Sequence, residues 1–435
     1  MQPTDIVILS NGPGEVATWV RPVVQQLPQI LNQEISFRIS VILSPCPHST
    51  GKETAIALSY PEVDRVLPPE AFFEFLLWGK IPENWQWHSR GLVLFLGGDQ
   101  FYTVIISKRL GYSSLIYAEW DARWYRFVNR FAAANQQVIE KVHQAYQHKF
   151  SVVGDLMADA ASGIEPHTSN NTDSPLIGLL VGSKPAKLFQ GLPLCMAIAE
   201  KVQQHLTAEC GDRQALPLQG REPVTQAQFV IPVAPTLDLV TLSNYANRQH
   251  NPLISALGNV DGTLMTDNET QLSYLITSGG TKIQLLTEFP AYETLASCQL
   301  CLTTVGANTA ELTTLRVPMI VMLPTQQLDA MRSWDGIPGI LANLPGLGAV
   351  FAKLINWLII RQNRLFAWPN IWAKQEIVPE LVGKLEPKMV ADLVLDYLAH
   401  PQKLQVMREH LTAVGRKTGA AKQIADIINQ EITKT

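Results

Sequence analysis

Four times along this chain a short apolar run breaks off at a glycine turn. Residues 5–10 lead into Asn11-Gly12-Pro13-Gly14 and residues 92–96 into Gly97-Gly98-Asp99. Residues 176–181 lead into Gly182-Ser183-Lys184, and residues 299–304 into a turn at Gly306. Short unbroken apolar runs of this kind are strands covered on both faces, which belong to parallel sheets with helices packed on either side. Helical spacing follows the first two turns, over residues 16–31 and 101–110, and new strands follow at 35–43 and 114–117. Residues 131–134 and 151–153 read as further short strands. Pro22 falls inside the first helical pattern, so that helix is expected to start late or kink. The expected fold class is α/β, built from doubly wound, Rossmann-like parallel sheets.

A chain of 435 residues is too long for one ordinary core, so two domains are expected. The polar, turn-rich segment at residues 163–175 is the best linker. After it, strands are expected at 176–181, 229–233, 283–286, 299–304 and 319–323, with a last helical pattern over 401–432. The plan is a first Rossmann-like domain over 1–165 and a second over 176–400. A helical segment over 401–435 would pack back on the first. Ligands of such folds sit beyond the carboxyl ends of the strands, here in the cleft between the two domains.

Composition narrows the classes of function. Apolar residues make up 46% and charged residues 17%, a globular balance slightly rich in grease. A formal charge of −4 argues against nucleic acid as a partner. The five scattered cysteines suit a reducing compartment. Cys298 and Cys301 have redox-pair spacing, but the apolar run at 295–305 reads as a buried strand, so both are expected in the core. No cluster has metal-ligand spacing, and no metal is expected. The start of the chain lacks the basic, long apolar pattern of a signal peptide, and no run of 18 apolar residues occurs. Residues 337–352 come closest but are broken by Pro and Gly, which suits an interfacial segment. The expected location is cytoplasmic, peripheral to a membrane.

Each turn has a functional and a plain reading. Gly12 and Gly14 let backbone approach a ligand, with Glu15 behind them; the plain reading is a tight strand-to-helix turn. Asp99 could be a general base on a sugar hydroxyl, or simply the N-cap of the following helix. Gly182, Ser183 and Lys184, with Lys187 nearby, could hold a diphosphate, or Lys184 could be a surface side chain. In Gly306-Ala307-Asn308-Thr309-Ala310-Glu311, a carboxylate in the first helical turn could accept both ribose hydroxyls; otherwise it marks an ordinary helix start. Trp368-Pro369-Asn370-Ile371 and the Glu376 to Leu381 stretch read as a loop entering a helix. Aromatics crowd residues 72–87, and residues 337–360 are apolar with Lys353 and Trp357 among them. Both suit a membrane interface or an acyl-chain groove, or plain packing.

Together these residues resemble the lipid-A-disaccharide synthases, inverting glycosyltransferases of the GT-B type. The match runs in order along most of the chain. It comprises Gly14-Glu15, Gly98-Asp99-Gln100-Phe101, the Val153 to Asp159 segment, Leu180 to Lys184, Gly306-x-x-Thr309-x-Glu311, and Pro369-Asn370-Ile371 with Glu376 to Leu381. Departures occur within and beside these motifs: Val16-Ala17-Thr18-Trp19 after the first turn, Asp155 where the family has His, Lys184 where it has Arg, and Ala118 to Trp124 in place of a Trp-rich signature. Lys cannot copy a bidentate Arg grip on phosphate.

The resemblance implies an inverting hexosyltransferase with a UDP-sugar donor and no cofactor. Its acceptor would be a lipid-linked or acylated sugar at a membrane surface, with a homodimer left open. Asp99, with Glu15 second, would be the base. Gly182, Ser183, Lys184, Gly306, Asn308, Thr309, Glu311 and Asn370 would hold the nucleotide sugar, and Gly12 and Gly14 would face the acceptor. Two other readings remain: a sugar-nucleotide 2-epimerase, and a decayed GT-B protein serving as a membrane-associated assembly factor.

Overall fold

The computed structural model describes residues 3–31, 36–46, 49, 51–82, 85–160, 164, 174–211, 226–324, 365–415 and 418–434. The chain divides into two compact units, one of Met1–Ser162 with Arg416–Thr435 and one of Gly163–Gly415. The linker at 163–175 and the apolar stretch at 337–360 lie almost wholly or wholly outside the described residues.

The first unit is a seven-stranded sheet in the order β3-β2-β1-β4-β5-β6-β7. Its strands are β1 Thr4–Ser10, β2 Phe37–Leu43, β3 Arg65–Leu67, β4 Arg90–Phe95, β5 Ser113–Ala118, β6 Arg130–Ala133 and β7 Phe150–Val152. All adjacent pairs are parallel. Alternation along the strands sends Ile6, Ile8, Leu92 and Leu94 to one apolar layer. It sends Val7, Leu9, Val93 and Phe95 to the other. The helical pattern at 16–31 resolves into a π turn, Val16–Val20, and a helix, Arg21–Ile30. Helical backbone runs unbroken through Val20 and Arg21, and Pro22, which has no N–H to give, follows directly on the π turn.

The pattern at 401–432 is two helices, Pro401–Val414 and Ala420–Lys434, with Gly419 at φ +106° between them. The first belongs to the second unit and the second to the first. Ala421, Ile424, Ala425, Ile428 and Ile432 recur every three or four residues and lie in the same layer as Ile6 and Leu92. The Asp159 carboxylate accepts the N–H groups of Gly419 and Ala421, which fixes the entry of that helix.

The second unit carries an eight-stranded sheet in the order β10-β11-β12-β9-β8-β13-β14-β15. The strands are β8 Leu176–Leu180, β9 Gln228–Pro232, β10 Gly262–Thr266, β11 Ser273–Thr277, β12 Lys282–Leu286, β13 Leu300–Thr304, β14 Met319–Pro324 and β15 Glu380–Gly383. The β10–β11 and β11–β12 pairs are antiparallel, and the rest are parallel. The run at 295–305 is not one strand: the helix Tyr292–Ala296 takes its beginning and β13 its end. Cys298 and Cys301 are both buried. Their thiols fit because Gly178, the register partner of Cys301, has no side chain: a Cβ there would stand 2.5 Å from Cys301 Sγ and 3.3 Å from Cys298 Sγ.

Each sheet has a switch point beside its first strand: between β1 and β4, and between β8 and β13. The loops at such a switch point part to opposite faces and leave a crevice at the carboxyl ends. The four glycine turns of the sequence follow these four strands.

Candidate functional site

In the first unit, the turns after β1 and β4 lie against each other. Gly97 (φ +147°) and Gly98 (φ +96°) adopt conformations that side chains rarely take. A Cβ on Gly97 would meet Asn11 Oδ1 at 2.9 Å and the Glu15 stem at 3.2 Å, and one on Gly98 would meet Ser44 Oγ at 2.6 Å. A Cβ on Gly12 would stand 2.5 Å from Glu15 Oε2 and 3.5 Å from Cys46 Sγ. Glu15 is therefore folded over Gly12 and Gly97. Gly14 has nothing within 4 Å of an added Cβ, so no neighbour there demands a glycine.

Asn11 Oδ1 is a buried acceptor with no hydrogen-bond partner. Such an atom needs a donor that the described residues do not supply. Asp99 Oδ1 accepts the Phe101 N–H at 2.8 Å, so Asp99 is the N-cap of the helix Gln100–Leu110. That plain reading holds, and it leaves Oδ2 of the same carboxylate outside the cap. The half-exposed Phe101 packs against Trp124 with ring centroids 4.6 Å apart, and Trp124 holds a left-handed backbone at φ +61°.

In the second unit, the turns after β8 and β13 are brought together. Gly182 (φ +82°) and Gly306 (φ +144°) again need the freedom of glycine. Ser183 is half-buried and Lys184 exposed. Between the two turns lies Lys187, whose Nζ donates to Val305 O at 2.6 Å. Asn308 is half-buried in the first turn of the helix Ala307–Thr314. Thr309 is fully buried; its hydroxyl donates to Gly306 O at 2.9 Å and accepts the Trp368 N–H at 3.2 Å. Glu311 stands one turn into that helix, later than its spacing suggested. Its Oε1 accepts the Tyr292 hydroxyl at 3.3 Å, and burial pushes its carboxyl above the usual carboxylate range despite that bond.

The segment expected as a loop entering a helix is a helix, Trp368–Ala373, followed by β15. Asn370 is fully buried within it. Its amide donates to Val378 O (2.8 Å) and Glu380 Oε1 (2.7 Å) and accepts the Ile377 and Val378 N–H groups at 2.8 and 3.0 Å. All four of its bonding positions are filled internally. Glu380 also takes the Phe366 and Ala367 N–H groups. Asn370 and Glu380 thus staple the chain that delivers Trp368 N–H to Thr309. Sequence spacing marked both stretches but gave no sign of this pairing.

The aromatic region at 72–87 is split. Phe72, Phe75 and Trp85 are buried, whereas Phe73, Leu77 and Trp78 are 48%, 56% and 69% exposed on the helix Pro69–Trp78. Arg65 lies between Trp85 and Trp87, 4.2 and 4.6 Å from their ring centroids. Among the described residues no helix is long and apolar enough to cross a membrane. Among the same residues no group of three acidic, His or Cys side chains could hold a metal.

No family model and no curated protein matches this chain. Solved structures do. A Listeria monocytogenes protein provisionally described as a UDP-N-acetylglucosamine 2-epimerase is 13% identical, with a TM-score of 0.51 over 100% of this chain and 98% of its own. The S. aureus MnaA structure with UDP is 11% identical, with a TM-score of 0.50 over 100% and 98%. Phytolacca americana UGT2, complexed with UDP-2-fluoro-glucose and pterostilbene, is 11% identical, with a TM-score of 0.43 over 99% and 100%. The likeness is one of fold, and the fold is the α/β, GT-B type with two Rossmann-like units.

Proposed function

We propose that this protein is an inverting glycosyltransferase that moves a sugar from a UDP-sugar to a lipid-linked or acylated sugar at a membrane surface. One observation carries the reading: each unit brings two glycine turns together at its switch point, and the two crevices carry opposite chemistry. The first offers carboxylates, Asp99 and Glu15. The second offers Lys184 and Lys187, helix N-termini and a ribose-type carboxylate, Glu311. In this reading the Gly182–Lys184 and Gly306–Thr309 turns receive the diphosphate through backbone N–H groups. Asn308 borders the same turn, Glu311 takes the ribose hydroxyls, and Asn370 positions the strand and helix behind them. Asp99 Oδ2 takes the proton of the acceptor hydroxyl while Oδ1 stays fixed by its cap, and Glu15 is the second base. Backbone donors and helix dipoles stabilise the departing diphosphate without a metal. The exposed Phe73, Leu77 and Trp78 support a membrane-facing role for the first unit.

A 2-epimerase is the second reading, because a protein described as one shares this fold from end to end. The two readings separate on product. Purified protein is incubated with a panel of UDP-sugars, with and without extracted membrane lipids. A transferase releases UDP only when sugar and lipid are both present. Release or epimerised sugar nucleotide without lipid gives the epimerase reading. No turnover and no UDP binding gives the decayed assembly factor.

A further inference from the structure

We propose that Lys187, rather than the exposed Lys184, is the cation that receives the diphosphate of a bound nucleotide sugar, completing a charge that the protein leaves unpaired. The proposal rests on the nucleotide reading above and adds the residue and its linkage to protons.

Lys187 lies in the first turn of the helix Pro185–Gly211. Its ammonium is held by one carbonyl, Val305 O, at 2.6 Å. Two glycines shape its socket. A Cβ on Gly182 would press on Lys187 Cδ at 3.0 Å, and one on Gly306 would stand 2.9 Å from Lys187 Nζ. Both turns therefore make room for this side chain, and Lys187 bridges the crevice at the carboxyl ends of β8 and β13. A second group waits there. Thr304 Oγ1, at the end of β13, is buried without a hydrogen-bond partner, 3.5 Å from where a Gly182 Cβ would be. Its residue is 7% exposed.

The charge is unbalanced. No carboxylate pairs with Lys187 among the described residues, and the charged group that faces it, Lys184, has the same sign. A half-buried ammonium without a counter-ion is costly. Burial first, and Lys184 second, pull its pKa down to about 8. A neutral sugar cannot repair that, whereas a phosphate dianion can. It would accept from the remaining ammonium hydrogens and from the Thr304 hydroxyl, with the N-termini of Pro185–Gly211 and Ala307–Thr314 adding favourable dipoles. Binding should then restore the proton. Below about pH 8 the free protein already carries it; above that value each bound phosphate must bring one in.

The test is calorimetry on the full chain with UDP, inorganic diphosphate and uridine, from pH 7 to about pH 9.5. UDP affinity should be flat up to about pH 8 and then fall about tenfold per pH unit. Lys187→Met keeps the apolar stem. It should weaken UDP by about tenfold or more at pH 7, leave uridine unchanged and abolish the pH slope. Lys184→Met should cost about fivefold at most and keep the slope. Equal thermal melts would show that both variants fold. Unchanged UDP affinity in Lys187→Met, or loss of the slope in Lys184→Met, overturns the proposal. Inorganic diphosphate binding that depends on Lys187, with no preference for UDP, supports the anion site and sinks the nucleotide reading. No binding of either overturns both.

Discussion

One oxygen of Asp99 caps the helix Gln100–Leu110 and the other is outside that bond. The two readings of this residue are therefore compatible, since a cap that fixes one oxygen also aims the second. Asp99→Asn retains a side-chain oxygen for the cap and removes the base. It is expected to lower turnover by about a hundredfold or more while UDP affinity stays near normal. Steady-state rates beside calorimetry check this, and unchanged turnover removes Asp99 from the mechanism. Residue roles were unevenly legible in the sequence. The glycines and Asp99 were visible because turns and caps are local. Lys187 was visible only as a second cation near its turn; its place between two turns was not, because its ammonium meets a carbonyl 118 positions away that only the folded sheet brings near. Asn370 was visible as a motif, but its internal bonds were not, since its partners lie seven to ten residues further along.

The buried central strands were legible because each is a continuous apolar run. Every residue of β1 and of β13 is buried. The strands that escaped notice lie at the sheet edges or next to one. β10 and β11 form an antiparallel ribbon in which Met265 is 53% exposed and polar residues alternate with apolar ones. β15 is four half-buried residues that follow Pro379. At this scale the tightest constraint is the meeting of β8 and β13 at Gly178 and Cys301. Gly178→Ala would set a methyl 2.5 Å from a buried sulfur whose strand has no freedom to retreat. A loss of about 1–3 kcal/mol in denaturant unfolding is expected, and recovery on shortening Cys301 to Ala in the same background. An unaltered midpoint in Gly178→Ala would show that the sheet yields more easily than its packing indicates.

At the scale of the whole molecule, the chain makes two doubly wound units, and its last helix returns to the first of them. In each unit the first strand borders a switch point, and each of these switch points collects a pair of glycine turns. In the proposed function the second unit takes the nucleotide and the first takes the acceptor. Hydrogen exchange of the full chain with and without UDP tests that assignment most directly. Exchange should slow over residues 181–188 and 304–312, with residues 10–16 and 97–102 unchanged. Protection confined to the first unit's turns, with none in the second, would contradict it.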